Sequence, residues 1–101
     1  YYAMNQPGIT ENAMKFLQSR KIRALGSDTA ACGMALKDGK PILEEAPKNC
    51  WAHGVLLAEG VLLVECLANL EKLPNVCYFM DFPLKIQHGS GSAIRAVALV
   101  F

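Results

Sequence analysis

The sequence predicts a single α/β domain of three or more short strands with helices at one side. Three observations predict it. At 101 residues the chain has room for one domain that buries a thin core of its own. A stretch with helical spacing near the N-terminus gives way to short, continuously apolar runs bounded by glycine and proline, which is how strands rather than further helices read. Hydrophobic residues make up 52% of the chain, which excludes a disordered polypeptide and leaves surplus apolar surface for an interface or a missing neighbour.

The elements follow in order. The chain opens "YYAMNQPG", so either it is cut from something longer or Met4 is the natural start, with Tyr1 to Ala3 added. Pro7 and Gly8 punctuate, Thr10 can cap, and Ala13, Phe16 and Leu17 recur at helical spacing, which predicts a helix from about 10 to 20. "IRALGSD" predicts a short strand ending at Gly26. Residues 32 to 50 mix charge with two prolines and two glycines and read as a loop or mobile excursion. From Trp51 a second helical segment is expected, with Trp51, Val55 and Ala58 on one face, His53 projecting elsewhere and Gly60 ending the turn. "VLLVE" predicts a strand covered on both faces. "LANLEKLP" predicts a brief helical turn closed by Pro74. "VCYFMDF" and "IRAVALVF" predict two more strands, with "HGSGS" closing a hairpin between them.

Ten Lys+Arg against nine Asp+Glu leave a net charge of +1, too little for a general electrostatic grip on nucleic acid. No apolar stretch reaches the ~18 uncharged residues of a membrane span, and no signal peptide opens the chain. Cys32, Cys50, Cys66 and Cys77 contain no C-x-x-C pair. Cys66 and Cys77 lie in apolar runs, where free cysteine acts as a small hydrophobe, and the set reads as reduced thiols in a cytoplasmic protein.

The chemistry concentrates in "AHGVLLAEGVLLVECLANL", residues 52 to 70. Glu65 stands in the most apolar part of this run, and a buried carboxylate needs a partner. Six helical steps from His53 to Glu59 cover ~9 Å and four strand steps from Val61 to Glu65 ~13 Å, so a reversal at Gly60 brings His53 and Glu65 to one edge of the sheet. There they can share a divalent ion, or each can pair with backbone or a lysine. Glu59 is the weaker candidate, since it adjoins the turn and reaches water. Cys50 and His53 form a C-x-x-H pair suggestive of zinc, but the second pair of a structural zinc site is absent.

"GSDTAA", "AHGVLLAEGVLLVECLANLEKL" and "FPLKIQHGSGSAIRAVALVF" together resemble the C-terminal half of the cyclase-family metal-dependent hydrolases, the group of kynurenine formamidase-like and isatin hydrolase-like enzymes. The resemblance runs from about Pro7 to the last residue, in the order of a His, a Glu twelve positions on, "PLKI", a glycine-serine turn and "RAVAL". It implies a swivelling β/β/α-like fold and a metal-ligand role for His53 and Glu65. It also implies a divalent cofactor, zinc or manganese, and hydrolysis of a small aryl formamide, cyclic amide or lactone. The family's H-x-G-T-H-x-D-x-P-x-H segment has no equivalent in these 101 residues, and His88 lies outside the pattern. Activity is therefore expected to need the missing N-terminal half or a partner chain. The alternative is a catalytically inactive relative serving as a binding or homo-oligomeric assembly module.

Other marked residues carry structural expectations. Asp28 reads as a turn or helix cap rather than a base. Arg95, inside an apolar strand, is expected to pair with Asp28 or Asp81. "GSGS" lacks the third glycine of a phosphate-binding fingerprint. Trp51, Tyr78, Phe79 and Phe82 are expected in core packing, with an aromatic-substrate pocket as the other use.

Overall fold

The structure, a computed structural model, describes residues 4–32, 36–38, 40–41 and 50–101. The expectations about Tyr1 to Ala3, and most of those about the 32 to 50 excursion, lie outside them. The mixed α/β class holds: among the described residues one α-helix accompanies three two-stranded sheets. The chain divides into two compact units, Tyr1–Ala68 and Asn69–Phe101.

In the first unit, α1 spans Glu11–Ser19. Thr10 starts it as expected, its side chain accepting the Ala13 N–H at 3.2 Å and so satisfying one of the orphan donors of the first turn. The helix ends where Lys21 turns left-handed, at φ 52°. Strand β1, Ala24–Gly26, pairs in parallel with β4, Leu62–Val64, in the register Ala24↔Leu62, Leu25↔Leu63, Gly26↔Val64. Between them, β2 (Leu36–Lys37) and β3 (Lys40–Pro41) form a small antiparallel pair where the sequence reads as loop.

The second helical segment differs from expectation in its winding. Trp51–Leu56 is a π-helical turn, with the Leu57 N–H bonding Ala52 O, and Leu57–Glu59 follows as a 3₁₀ turn. The wider winding rotates the buried face onto Ala52 and Leu56, both fully buried, while Ala58 is exposed. Gly60 ends the segment as predicted, at φ 83°, a conformation that costs other residues a Cβ clash. Met14, Leu56 and Val61 form the core, with Ile9, Leu17, Ile22, Leu25, Trp51 and Val55 packed around them. Strand β4 is not covered on both faces: Val64 is buried but Leu62 is 59% exposed, because among the described residues its sheet has a single partner strand and no layer over that side chain.

The second unit begins with a 3₁₀ turn, Leu70–Lys72, and continues into an antiparallel hairpin of β5, Tyr78–Pro83, and β6, Ile94–Leu99. The register runs from Tyr78↔Leu99 to Pro83↔Ile94. The glycine-serine segment closes the hairpin as expected, with Ser92 Oγ accepting the Leu84 N–H at 3.0 Å. No described residue of this unit is buried. Tyr78, Phe79 and Phe82 are exposed rather than in a core, and only Trp51 of the four marked aromatics packs as expected. Arg95 stands opposite Phe82 and forms no ion pair among the described residues; it is exposed, so water meets the need that a carboxylate was expected to meet.

Candidate functional site

Because β1 and β4 are parallel, both strands end at one edge, the usual location of sites in α/β folds. Their exits are tied together by backbone bonds: Ser27 N to Val64 O at 2.9 Å, Leu67 N to Ser27 O at 2.9 Å and Cys66 N to Thr29 O at 3.0 Å. Gly26 allows the close approach, since a Cβ there would stand 2.8 Å from Leu67 Cδ1. The turn after β1 is then fixed by Ser27 and Thr29. Their hydroxyls lie 2.6 Å apart and Ser27 Oγ accepts the Thr29 N–H at 3.3 Å. The exposed Asp28, expected as the cap, does not carry this turn.

Glu65 follows β4 directly. Its Oε1 accepts the Cys32 backbone N–H at 3.0 Å and meets His53 Nε2 at 3.2 Å. The structure thus brings together the two residues that the reversal at Gly60 places at one edge. Their side chains are 41% exposed for His53 and 32% for Glu65, so the carboxylate is less buried than its apolar neighbours imply, and water shares in its solvation. On the far side of the ring, His53 Nδ1 lies 3.5 Å from Cys50 Sγ. The two ring nitrogens point apart, so Cys50 does not join Nε2 and Glu65 around one ion.

Glu59 has a different task. Its Oε1 accepts Gln18 Nε2 at 2.7 Å and ties the turn before Gly60 to α1. His88 sits in the hairpin connection of the other unit with φ 57°.

Two donors at this spacing fit part of a metal shell. Ligands ~2.0–2.2 Å from one ion stand about 3 Å apart, which the 3.2 Å between Nε2 and Oε1 matches. Among the described residues no group of three or more His, Cys, Asp or Glu is arranged to hold a metal. Without an ion, the same geometry is a hydrogen bond from Nε2–H to the carboxylate.

Cys32, expected only as a reduced thiol, also takes part in the site. Its backbone amide anchors Glu65, and its side chain is buried, with Sγ 3.0 Å from Ser27 Oγ and 3.6 Å from Val64 O. Burial pushes the thiol above its ordinary value of 9.0, the Ser27 hydrogen bond opposes this, and the Glu65 charge adds to it. Cys32 is therefore a neutral structural thiol at physiological pH and no nucleophile. Cys66, expected among apolar neighbours, is exposed with φ 56°, since it lies in the bend leaving β4. All four cysteines are free thiols, and among the described residues no helix is long and apolar enough to cross a membrane.

Over 97 residues, 95% of its length, the chain is 37% identical to the isatin hydrolase of Roseibium aggregatum. It spans about a third of that relative, 35% of its length. No family model matches the chain, and no solved structure matches it. The similarity relates the chain to a hydrolase.

Proposed function

We propose that these residues carry part of the active site of a cyclase-family metal-dependent hydrolase that opens a small amide or lactone. The observation that supports this reading is the meeting of His53 Nε2 and Glu65 Oε1 at 3.2 Å, at the edge where both parallel strands end. A divalent zinc or manganese ion held there would supply polarisation of the substrate carbonyl and acidification of water. His53 and Glu65 would hold it, and the Cys32 amide orients the carboxylate by fixing Oε1. Two protein donors leave a shell open, so this reading needs further ligands besides His53 and Glu65, from elsewhere in the polypeptide or from a partner chain. Substrates to assay are isatin, which the relative's name gives, together with aryl formamides and lactones.

Calorimetric titration with zinc and manganese tests the assignment. The wild-type chain is expected to bind, while His53→Ala and Glu65→Gln lose at least tenfold in affinity, since losing even an outer-shell partner costs about that much. Unchanged metal uptake in both variants would remove the assignment.

A second reading is favoured by the second unit, where Tyr78, Phe82, Leu84 and Ile86 are all exposed. Apolar surface of this kind serves an assembly module, a homo-oligomer included, that has the fold without the catalysis. Sedimentation of the chain with and without metal separates the two: self-association with no metal uptake supports the module, and metal uptake through His53 supports the hydrolase.

A further inference from the structure

We propose that Cys50 is a positioning residue for His53, bonding Nδ1 so that the ring stays aimed at Glu65 both with and without a metal ion. The inference rests on the metal-ligand reading for its second half, but its first half stands on the contact alone. Cys50 heads the π turn, three residues before His53, and its carbonyl accepts the Gly54 N–H at 2.6 Å. This fixes the backbone between the two side chains and sets Sγ 3.5 Å from Nδ1, within hydrogen-bond reach for sulfur.

A neutral imidazole has one N–H and one lone pair, so the proton on one side decides what the other side can do. In the metal-free chain, Nε2 faces a carboxylate oxygen already engaged by the Cys32 amide. Nε2–H must donate there, because a lone pair against Oε1 at this distance is repulsive. With the ring neutral, Nδ1 is then the acceptor, and the Cys50 S–H donates to it. Were His53 to hold a metal ion through Nε2, that nitrogen would offer its lone pair and the single ring proton would stand on Nδ1. Sulfur would then accept it, with the S–H turned away. No proton is gained or lost by the pair. A thiol is both a weak donor and a weak acceptor, so it serves both tautomers without moving. A carboxylate could only accept and would favour the metal-bound form alone.

The experiment uses the 15N-labelled chain carrying His88→Gln, which leaves His53 as the one histidine signal. In the metal-free protein the long-range 15N spectrum is expected to show a protonated Nε2 and a hydrogen-bonded, unprotonated Nδ1. Cys50→Ala should move the Nδ1 resonance toward that of a free ring nitrogen, and Cys50→Ser should restore it. With zinc ion as the probe, Cys50→Ala is expected to bind about tenfold more weakly, the low end of what such partners contribute, and Cys50→Ser within about threefold of wild type. An Nδ1 resonance and a zinc affinity both unmoved by Cys50→Ala would overturn the proposal. Equal zinc loss in the serine and alanine variants would also overturn it, since the thiol would then be a ligand itself. If the wild-type chain binds no zinc, the metal-ligand reading fails, and the metal-free Nδ1 comparison still decides the Cys50 contact.

Discussion

At position 65 a carboxylate in an apolar run is held by one backbone amide and one imidazole, and each partner says something different about legibility. The imidazole was readable, because twelve residues containing one glycine reversal fix where a short helix and a strand must return. The Cys32 amide was not, since every residue but proline carries an N–H and no side-chain type marks the one that donates. The thiol of the same residue gives a pH prediction. Its proton is held more tightly in the folded chain than in the unfolded one, so its contribution to stability is complete below pH 9.0 and is lost as pH rises through the higher folded value. Urea unfolding between about pH 7.5 and 10.5 should show stability falling above about pH 9, and Cys32→Ala should flatten that fall. A profile identical in the variant would assign the alkaline loss to other groups.

At the scale of elements, the capped start of α1 and the Gly60 stop were legible from residue type, and the winding between Trp51 and Leu56 was not. A π turn has no period that a short run of residues can announce; it forms here where Leu56 and Ala52 can both be fully buried against α1 and β4. The turn and the site share Gly60. Gly60→Ala should cost about 1–2 kcal/mol, the left-handed penalty for a residue with a Cβ, and weaken zinc binding by displacing His53 relative to Glu65. Thermal melting and calorimetry check the two parts separately. Leu56→Ala removes the largest fully buried side chain of this core and should destabilise by about 2–5 kcal/mol in denaturant titration. A loss under about 1 kcal/mol would show that the core collapses into the cavity.

For the whole molecule, the two units differ in what holds them. Tyr1–Ala68 has a buried cluster, and Asn69–Phe101 has cross-strand pairing without any buried described residue. Two strands alone are marginally stable in water. Amides of Phe79–Phe82 and Arg95–Ala98 should therefore exchange hydrogen far faster than those of α1 and β4, by an order of magnitude or more at neutral pH. Slow exchange in the hairpin would mean that something covers it in solution. By itself the sequence determined where the helix begins, where the chain reverses, which runs form β1, β4, β5 and β6, and that His53 and Glu65 return to one edge; these follow from local sterics and spacing. Only the tertiary structure decided how buried each run is and which backbone amide and thiol hold the pair, because burial is a sum over neighbours distant in the chain and a hydrogen bond depends on where two loops end in space.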